Sequence, residues 1–232
     1  MKKLCLIILL LLPQVSLAAV GFDVATVDTN GSCTTGTSFT WVHEGGGASV
    51  TALVAEGGNL QWTSATYNGE SLIPIAILND AVNMWGISAS TTNIIASGTV
   101  TVATGNDVLA GGSVSFTGTA TGTAITSWVG STSTLANANT NSYSIALGSS
   151  AADSMNIDLL AWNNNEDVTV SGTGQTERAT DVECAAGPDA NISTQTGGNL
   201  TMSGSWATAS NRRALAAEIE AAAAAPAAGG GN

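Results

Sequence analysis

Short runs in which apolar and polar residues alternate recur along this chain, with turn-forming residues between them. A period of two places successive side chains on opposite faces of a strand, whereas helical periodicity is nearly absent before the C-terminus. The pattern predicts an all-β protein with about ten or more short strands, arranged as a single antiparallel β-sandwich in which two half-apolar sheets bury their inner faces. The alternating positions are Phe39, Trp41 and His43; Val50, Ala52 and Val54; Val100 and Val102; Val114 and Phe116; Tyr143, Ile145 and Leu147; Met155, Ile157 and Leu159; Val168 and Val170; and Leu200, Met202 and Trp206.

Turn signals and the C-terminus refine this outline. Asn68-Gly69 predicts a tight hairpin turn, and Pro74 predicts an edge strand or a strand start. Residues 212–225 are rich in Ala, Leu and Glu and are compatible with a helix, but they also alternate. We favour a closing strand over residues 213–219, followed by a flexible Ala/Gly tail over residues 221–232.

The order of several motifs resembles a group of uncharacterised bacterial and phage-associated β-sandwich proteins. Their pattern has a TYNG-x-x-L hairpin, a V-x-L-W strand, a G-T-V-T-V strand and an S-F-x-G strand. The corresponding segments here are residues 66–72, 83–87, 98–102 and 115–118, with Met84 where an aliphatic residue is usual. The resemblance covers roughly residues 22–220. It implies a sandwich with jelly-roll-like strand order and supplies no catalytic or binding residues.

The N-terminus has the features of a cleaved export signal. Lys2 and Lys3 precede an apolar run over residues 4–12, and Ser16-Leu17-Ala18 fits a cleavage site before Ala19. The run is too short for a membrane anchor, and Cys5 lies before it rather than after it, which disfavours a lipoprotein. We therefore expect a signal peptide at 1–18, a secreted, periplasmic or cell-surface location, and a β-sandwich domain at 19–220.

Charge narrows the possible partners. Removing the leader leaves three arginines against seventeen acidic residues, a net charge of −14. Such a surface repels phosphate backbones and anionic headgroups, so nucleic acid and membrane surfaces are disfavoured. Cys33 and Cys184 are the only cysteines after the leader. In an oxidising compartment we expect them to form a disulfide; an exposed pair that links separate molecules is the alternative.

Catalytic chemistry has few candidate residues. His43 is the only histidine, so any Ser-His-Asp triad must use it; a strand-end histidine beside Trp41 or solvent is the simpler interpretation. Paired carboxylates could hydrolyse glycosides, and the candidates are Glu56, Glu70, Asp158, Glu166 and Asp167. With seventeen acidic residues, some will lie close together by chance, so such a pair is weak evidence for catalysis. We predict a non-enzymatic protein without a cofactor.

Calcium is the better metal candidate, because Asp/Asn loops between strands supply oxygen ligands. The candidates are Asp28 and Asn30 in one loop and Glu166 and Asp167 in another. Ordinary turn chemistry, in which Asn and Asp bond their own backbone, is the alternative.

Six tryptophans are many for a chain with two tyrosines. Exposed Trp beside Asn or Asp is typical of carbohydrate-binding sandwiches. Trp62, and Trp162 followed by Asn163, Asn164 and Asn165, are therefore candidate ligand-binding residues, with burial in the core or at its rim as the alternative. Trp41, Trp85 and Trp206 fall in alternating strands and are predicted core.

Three functions remain open. The first is an exported binding or adhesion module for a glycan or cell-surface polymer. The second is a structural subunit of an extracellular or virion-type assembly, in which strand edges would matter because the chain has no lysine after its leader to guard them. The third, a secreted hydrolase, is disfavoured.

Overall fold

The structure, a computed structural model, describes residues 19–27, 35–45, 50–58, 62–78, 82–88, 97–162, 166–179 and 189–223. These residues form strands, all paired antiparallel, and one 3-10 turn, which confirms the all-β prediction. Among them, no helix has the length and apolar character that a membrane crossing requires. The elements are β1 Gly21–Val27, β2 Thr35–Glu44, β3 Val50–Gly58, β4 Trp62–Tyr67, β5 Glu70–Ser71, β6 Ile73–Leu78, β7 Val82–Ser88, β8 Ser97–Val108, β9 Ala110–Thr117, the 3-10 turn Ile125–Ser127, β10 Val129–Ala146, β11 Met155–Trp162, β12 Thr169–Val170, β13 Gln175–Ala179, β14 Asp189–Thr196 and β15 Thr201–Ile219.

The first nine strands have the jelly-roll order. One sheet, here called the central sheet, runs β1-β9-β3-β7-β6, and the outer sheet runs β2-β8-β4-β5. The chain changes sheet at every step except from β4 to β5 and from β6 to β7, so that β1 pairs with β9 and β2 pairs with β8. That alternation is the strand order of two interlocked Greek keys.

The predicted hairpin and edge are both present. Asn68 and Gly69 have φ angles of 50° and 84°, as a two-residue type I′ turn requires at both positions. The turn is tied to β8, because the Asn68 amide donates to the Thr99 carbonyl and the Thr99 amide donates to Asn68 Oδ1, each at 2.8 Å. Pro74 lies in β6, at the edge of the central sheet.

A third sheet changes the predicted two-layer picture. It runs β10-β15-β11-β14-β13, with β12 on β15, and it packs on the face of the central sheet that the outer sheet leaves uncovered. Strands β3, β7 and β9 are consequently buried on both faces. A Cβ added at Gly58 would lie 2.6 Å from the Ala161 Cβ, so glycine there allows the two sheets to approach.

The third sheet also folds onto itself. The C-terminal half of β15 pairs with β11, whereas its first residues pair with β12 and with the end of β10. Met202 and Trp206 from the first half share a core with Ala214 and Ala216 from the second half. The closing strand predicted over 213–219 is therefore confirmed as part of a longer, bent strand.

The end of the described chain is still attached to the domain. Ala221 forms a bridge with Thr119, and the Ala222 amide donates to the Gly118 carbonyl at 2.9 Å. The first residues of the predicted tail thus lie against the sandwich. The rest of the tail from residue 224, the leader at 1–18, and both Cys33 and Cys184 lie outside the described residues, so the signal peptide and the disulfide stay predictions.

Candidate functional site

The tryptophans predicted to stack on sugars are buried. Trp62 and Trp162 each expose 2% of their surface. Trp62 packs between the outer and central sheets, and Trp162 stacks on Trp206 with ring centroids 6.4 Å apart inside the folded third sheet. An indole whose faces are covered cannot stack on a ligand, so the prediction of exposed stacking by these two rings is wrong. Asn163, Asn164 and Asn165 lie outside the described residues.

Burial extends to almost all the aromatic side chains. All six tryptophans and both tyrosines are buried, as are Phe39 and Phe116. The core prediction for Trp41, Trp85 and Trp206 is thereby confirmed. Phe22 is half-buried, and the Arg178 guanidinium lies 3.9 Å from its ring centroid. The apolar period of two required this outcome, because the large rings occupy the inward positions of their strands.

His43 lies in the core between the outer and central sheets, not at the surface. Its Nδ1 is 2.8 Å from the Ser113 hydroxyl, which also accepts a hydrogen bond from Trp41 Nε1 at 2.9 Å. Burial lowers the pKa of His43 to about 4, and the Asp23 carboxylate opposes that shift only in part. The imidazole is therefore neutral at pH 7. A histidine beside a serine is the pairing that general-base catalysis uses, but both side chains are fully buried, so no substrate reaches them.

Asp158 on β11 is the centre of a buried polar network. Its carboxylate accepts hydrogen bonds from the Tyr143 hydroxyl at 2.8 Å and from the Ser193 hydroxyl. Gln175 Nε2 donates to Tyr143 Oη and to Ser193 Oγ, at 2.9 and 2.7 Å. Burial raises the pKa of Asp158 to about 6, and the hydrogen bonds from Ser193 and Tyr143 limit the rise. The network fastens the folded part of the third sheet onto β11 and β14.

Glu56 on β3 is the second buried carboxylate. It is fully buried, and neither carboxylate oxygen has a hydrogen-bond partner among the described residues. Burial, with a smaller contribution from the Asp158 charge, raises the pKa of Glu56 well above its usual range. Glu56 and Asp158 are thus electrostatically coupled, as a carboxylate pair would be. Since neither is exposed, the pair cannot reach a polysaccharide.

The remaining acidic candidates, Glu166, Asp167 and Glu70, lie in different surroundings. Glu166 accepts a hydrogen bond from the Thr208 amide at 2.7 Å, Asp167 is exposed, and Glu70 is half-buried in β5. In the described part of the chain, no three His, Cys, Asp or Glu side chains cluster as metal ligands would. Asp28 and Asn30 lie outside it, so calcium binding by that loop stays a prediction.

A groove opens between β1 and β2, which are edge strands of different sheets. Its volume is about 580 Å³, and its walls include the exposed side chain of Val42. A hydrogen bond connects the two strands, since the Glu44 amide of β2 donates to Thr26 Oγ1 of β1 at 3.2 Å. The lining residues are Val24, Ala25, Thr26, Val27, Trp41, Val42 and Glu44.

The sheet edges differ in how they are protected against pairing with another strand. Charged side chains, proline and short length are three usual protections, and β-bulges are a fourth. Every edge strand in the described residues has one of the first three features except β10, which is 18 residues long, contains no charged residue and no proline, and has only the register shifts in its pairing with β15. The protecting features elsewhere are Asp23 in β1, Glu44 in β2, Glu70 in β5, Pro74 in β6, Glu177 and Arg178 in β13, and the two-residue length of β12.

Comparison with protein-family models, with curated proteins and with solved structures finds no match to this chain. The resemblance to phage-associated sandwich proteins therefore stays a prediction.

Sequence reasoning missed two features that the structure brings together. The His43–Ser113 contact joins β2 to β9 across the sandwich, and no local pattern signals it. Glu56 did carry a signal: it continues the alternating inward series of Ala52 and Val54, which placed a carboxylate at a core position.

Proposed function

We propose that this protein is an exported, non-enzymatic β-sandwich that serves as a structural subunit of an extracellular assembly. The observation that carries the proposal is β10, a long edge strand with no charged residue and no proline, which only its register shifts against β15 protect from pairing. Soluble proteins that work alone seldom leave such an edge open, since it is a template for adding strands from another molecule.

The burial of the aromatic side chains supports this choice over glycan binding. The sequence favoured a glycan-binding module first, on the strength of Trp62 and Trp162. Both indoles are enclosed, so the ring-stacking surface that such a module uses is missing from these positions. The non-enzymatic part of the proposal is supported by the burial of His43, Glu56 and Asp158, which the sequence offered as candidates for catalysis.

Light scattering and electron microscopy of the purified protein over a range of concentrations test the proposal. We expect particles larger than a monomer, with a size that increases with concentration. A strict monomer at the highest concentration would refute the structural-subunit function.

The groove between β1 and β2 favours a second candidate function, a binding module for an extended polymer. Val42 exposes 54% of its surface in the groove wall, so Val42→Asp should weaken binding to surface polymer from the producing cells. Ile77→Asp is the matched control, because Ile77 is an exposed apolar residue (37%) outside the groove. Equal binding by the native protein and the Val42 variant would exclude this candidate.

A further inference from the structure

We infer that the outer edge of β10 is the site at which a second copy of this chain adds, strand against strand, across a two-fold axis. This inference rests on the proposed function and specifies its contact. β10 is the last strand of the third sheet, and no described strand pairs along its outer side. Backbone donors and acceptors on that side are therefore available for a ladder with another molecule.

Charge selects the partner. The protein has seventeen acidic residues and only five basic ones, so two copies repel one another over most of their surfaces. β10 contains no charged residue over its full length, although the Glu218 and Glu220 carboxylates lie beside Gly130 at its start and Arg212 contacts Thr140 and Ser142. From Thr132 onward it is a long edge along which two acidic copies can approach with little repulsion. A basic partner would gain nothing from this strand and would be attracted to acidic surfaces elsewhere.

The exposed side chains of β10 suit self-pairing. They are all small: most are Thr, Asn or Ser, and the others are Gly or Ala. Thr, Ser and Asn side chains form favourable pairs with one another across neighbouring strands. Because the chain lies antiparallel to itself across a two-fold axis, each residue type meets the same set in the partner. The exposed members are Gly130, Thr132, Thr134, Ala136, Asn139, Asn141, Ser142, Ser144 and Ala146.

Two features limit the contact to part of the strand. The register against β15 shifts between Val129 and Thr132, between Leu135 and Ala138, and between Thr140 and Ser142, and such bulges interrupt a regular ladder. At the start of β10, the Ser131 amide already donates to Glu218 Oε2 at 3.3 Å. Near the other end, the Ser142 carbonyl already accepts hydrogen bonds from Thr140 Oγ1 and Arg212 Nε. Of the two longer segments without a register shift, Thr132 to Leu135 is therefore better placed to nucleate pairing than Ser142 to Ala146.

The contact makes a closed dimer. A two-fold contact uses the same surface on both molecules, so pairing through β10 saturates at two chains. Growth into a larger particle then requires a different surface. Dimers that remain when larger particles have been dispersed are the signature of this contact.

Sedimentation equilibrium with two variants tests the inference. Thr134→Lys places a cation on each side of the two-fold axis, and like charges across a ladder destabilise it; we expect the dimer dissociation constant to rise about tenfold or more. Thr40→Lys makes the same change at an exposed position on β2, an edge that Glu44 already protects; we expect no change. Equal weakening by both variants, or by neither, would overturn the β10 contact.

Hydrogen exchange on the unmodified protein gives a second test that does not depend on a variant folding. Amides in residues 129–146 should exchange more slowly at dimer-forming concentration than after dilution, whereas β13 amides should not change. Self-association with unchanged β10 protection would refute the β10 contact but leave the structural-subunit function standing. A strict monomer would refute both.

Discussion

Replacing Glu56 by methionine should stabilise the protein, and the gain should grow as the pH rises. Glu56 is fully buried and lies opposite Met84 of β7, on the face of β3 where Ala52 and Val54 contribute to the core between the central and third sheets. Neither of its carboxylate oxygens is hydrogen-bonded within the described residues. Methionine has a similar length and no polar group to desolvate.

The expected gain in the free energy of unfolding has two parts. At low pH the carboxyl is neutral in the folded and unfolded states, and removing an unbonded buried polar group contributes about 1–3 kcal/mol. Above the ordinary pKa of 4.5 the unfolded chain releases this proton while the folded protein retains it. The folded state then binds more protons than the unfolded state, so the free energy of unfolding falls by about 1.4 kcal/mol per pH unit. This second part therefore grows with every pH unit for as long as the folded protein keeps the proton.

The titration of Asp158 also lowers the free energy of unfolding as the pH rises, but this contribution cancels when the native protein is compared with the Glu56 variant. Its pKa rises from 3.8 to about 6 on folding, which costs about 3 kcal/mol of stability between those pH values. That loss occurs in the native protein and in the Glu56 variant alike, because the Asp158 charge raises the pKa of Glu56, whereas a protonated Glu56 has no charge that would shift Asp158. The difference between the two therefore isolates Glu56.

Urea unfolding at pH 4, 5.5 and 7 measures this difference. Glu56→Gln separates the two parts, because it removes the titration but keeps a buried polar amide; its pH profile should flatten without the gain at pH 4. Glu44→Gln is the control, since Glu44 is exposed. A Glu56→Met protein that is less stable than the native protein, or whose stability difference stays constant from pH 4 to 7, would refute this account.

Three further predictions concern the polar network, the hairpin and the tryptophan stack. Tyr143→Phe removes a 2.8 Å hydrogen bond to Asp158 and should lower the free energy of unfolding by about 1–3 kcal/mol. The loss should be larger at pH 7 than at pH 4, because the lost donor stabilises the ionised carboxylate. Urea unfolding that shows an equal loss at both pH values would contradict this prediction. Gly69→Ala should cost about 1 kcal/mol through its φ of +84°, since nothing lies within 4 Å of an added Cβ; Gly148→Ala, where that Cβ makes an ordinary contact at 3.4 Å, should unfold thermally close to the native protein. Trp162→Ala should cost about 3–5 kcal/mol as a core truncation, and a variant with unchanged melting temperature would show that the indole is not core.

The alternating pattern was sufficient to predict the strands because burial on one face requires a period of two. It also predicted the Asn68-Gly69 turn, since few residues adopt positive φ at two successive positions. The closing strand over 213–219 followed from the same alternation, against a composition that also suits a helix.

The candidate site was predicted less well, because exposure is a tertiary property. Trp62 and Trp162 carry the same local signals whether a second layer covers them or not, and here other sheets do cover them. The sequence located Glu56 and Asp158 as acids but not as buried, coupled groups. Their coupling depends on β3 and β11, which are a hundred residues apart in order but face each other across the central and third sheets.

The sequence alone thus determined strand content and turn chemistry, because these follow from local geometry and from which face of each strand is apolar; the jelly-roll-like arrangement was implied only by the resemblance. Only the tertiary structure decided that a third sheet covers the central one and folds over itself, leaving β10 as the open, uncharged edge. Which strands become edges depends on pairings between distant segments, and no local pattern of residues encodes them.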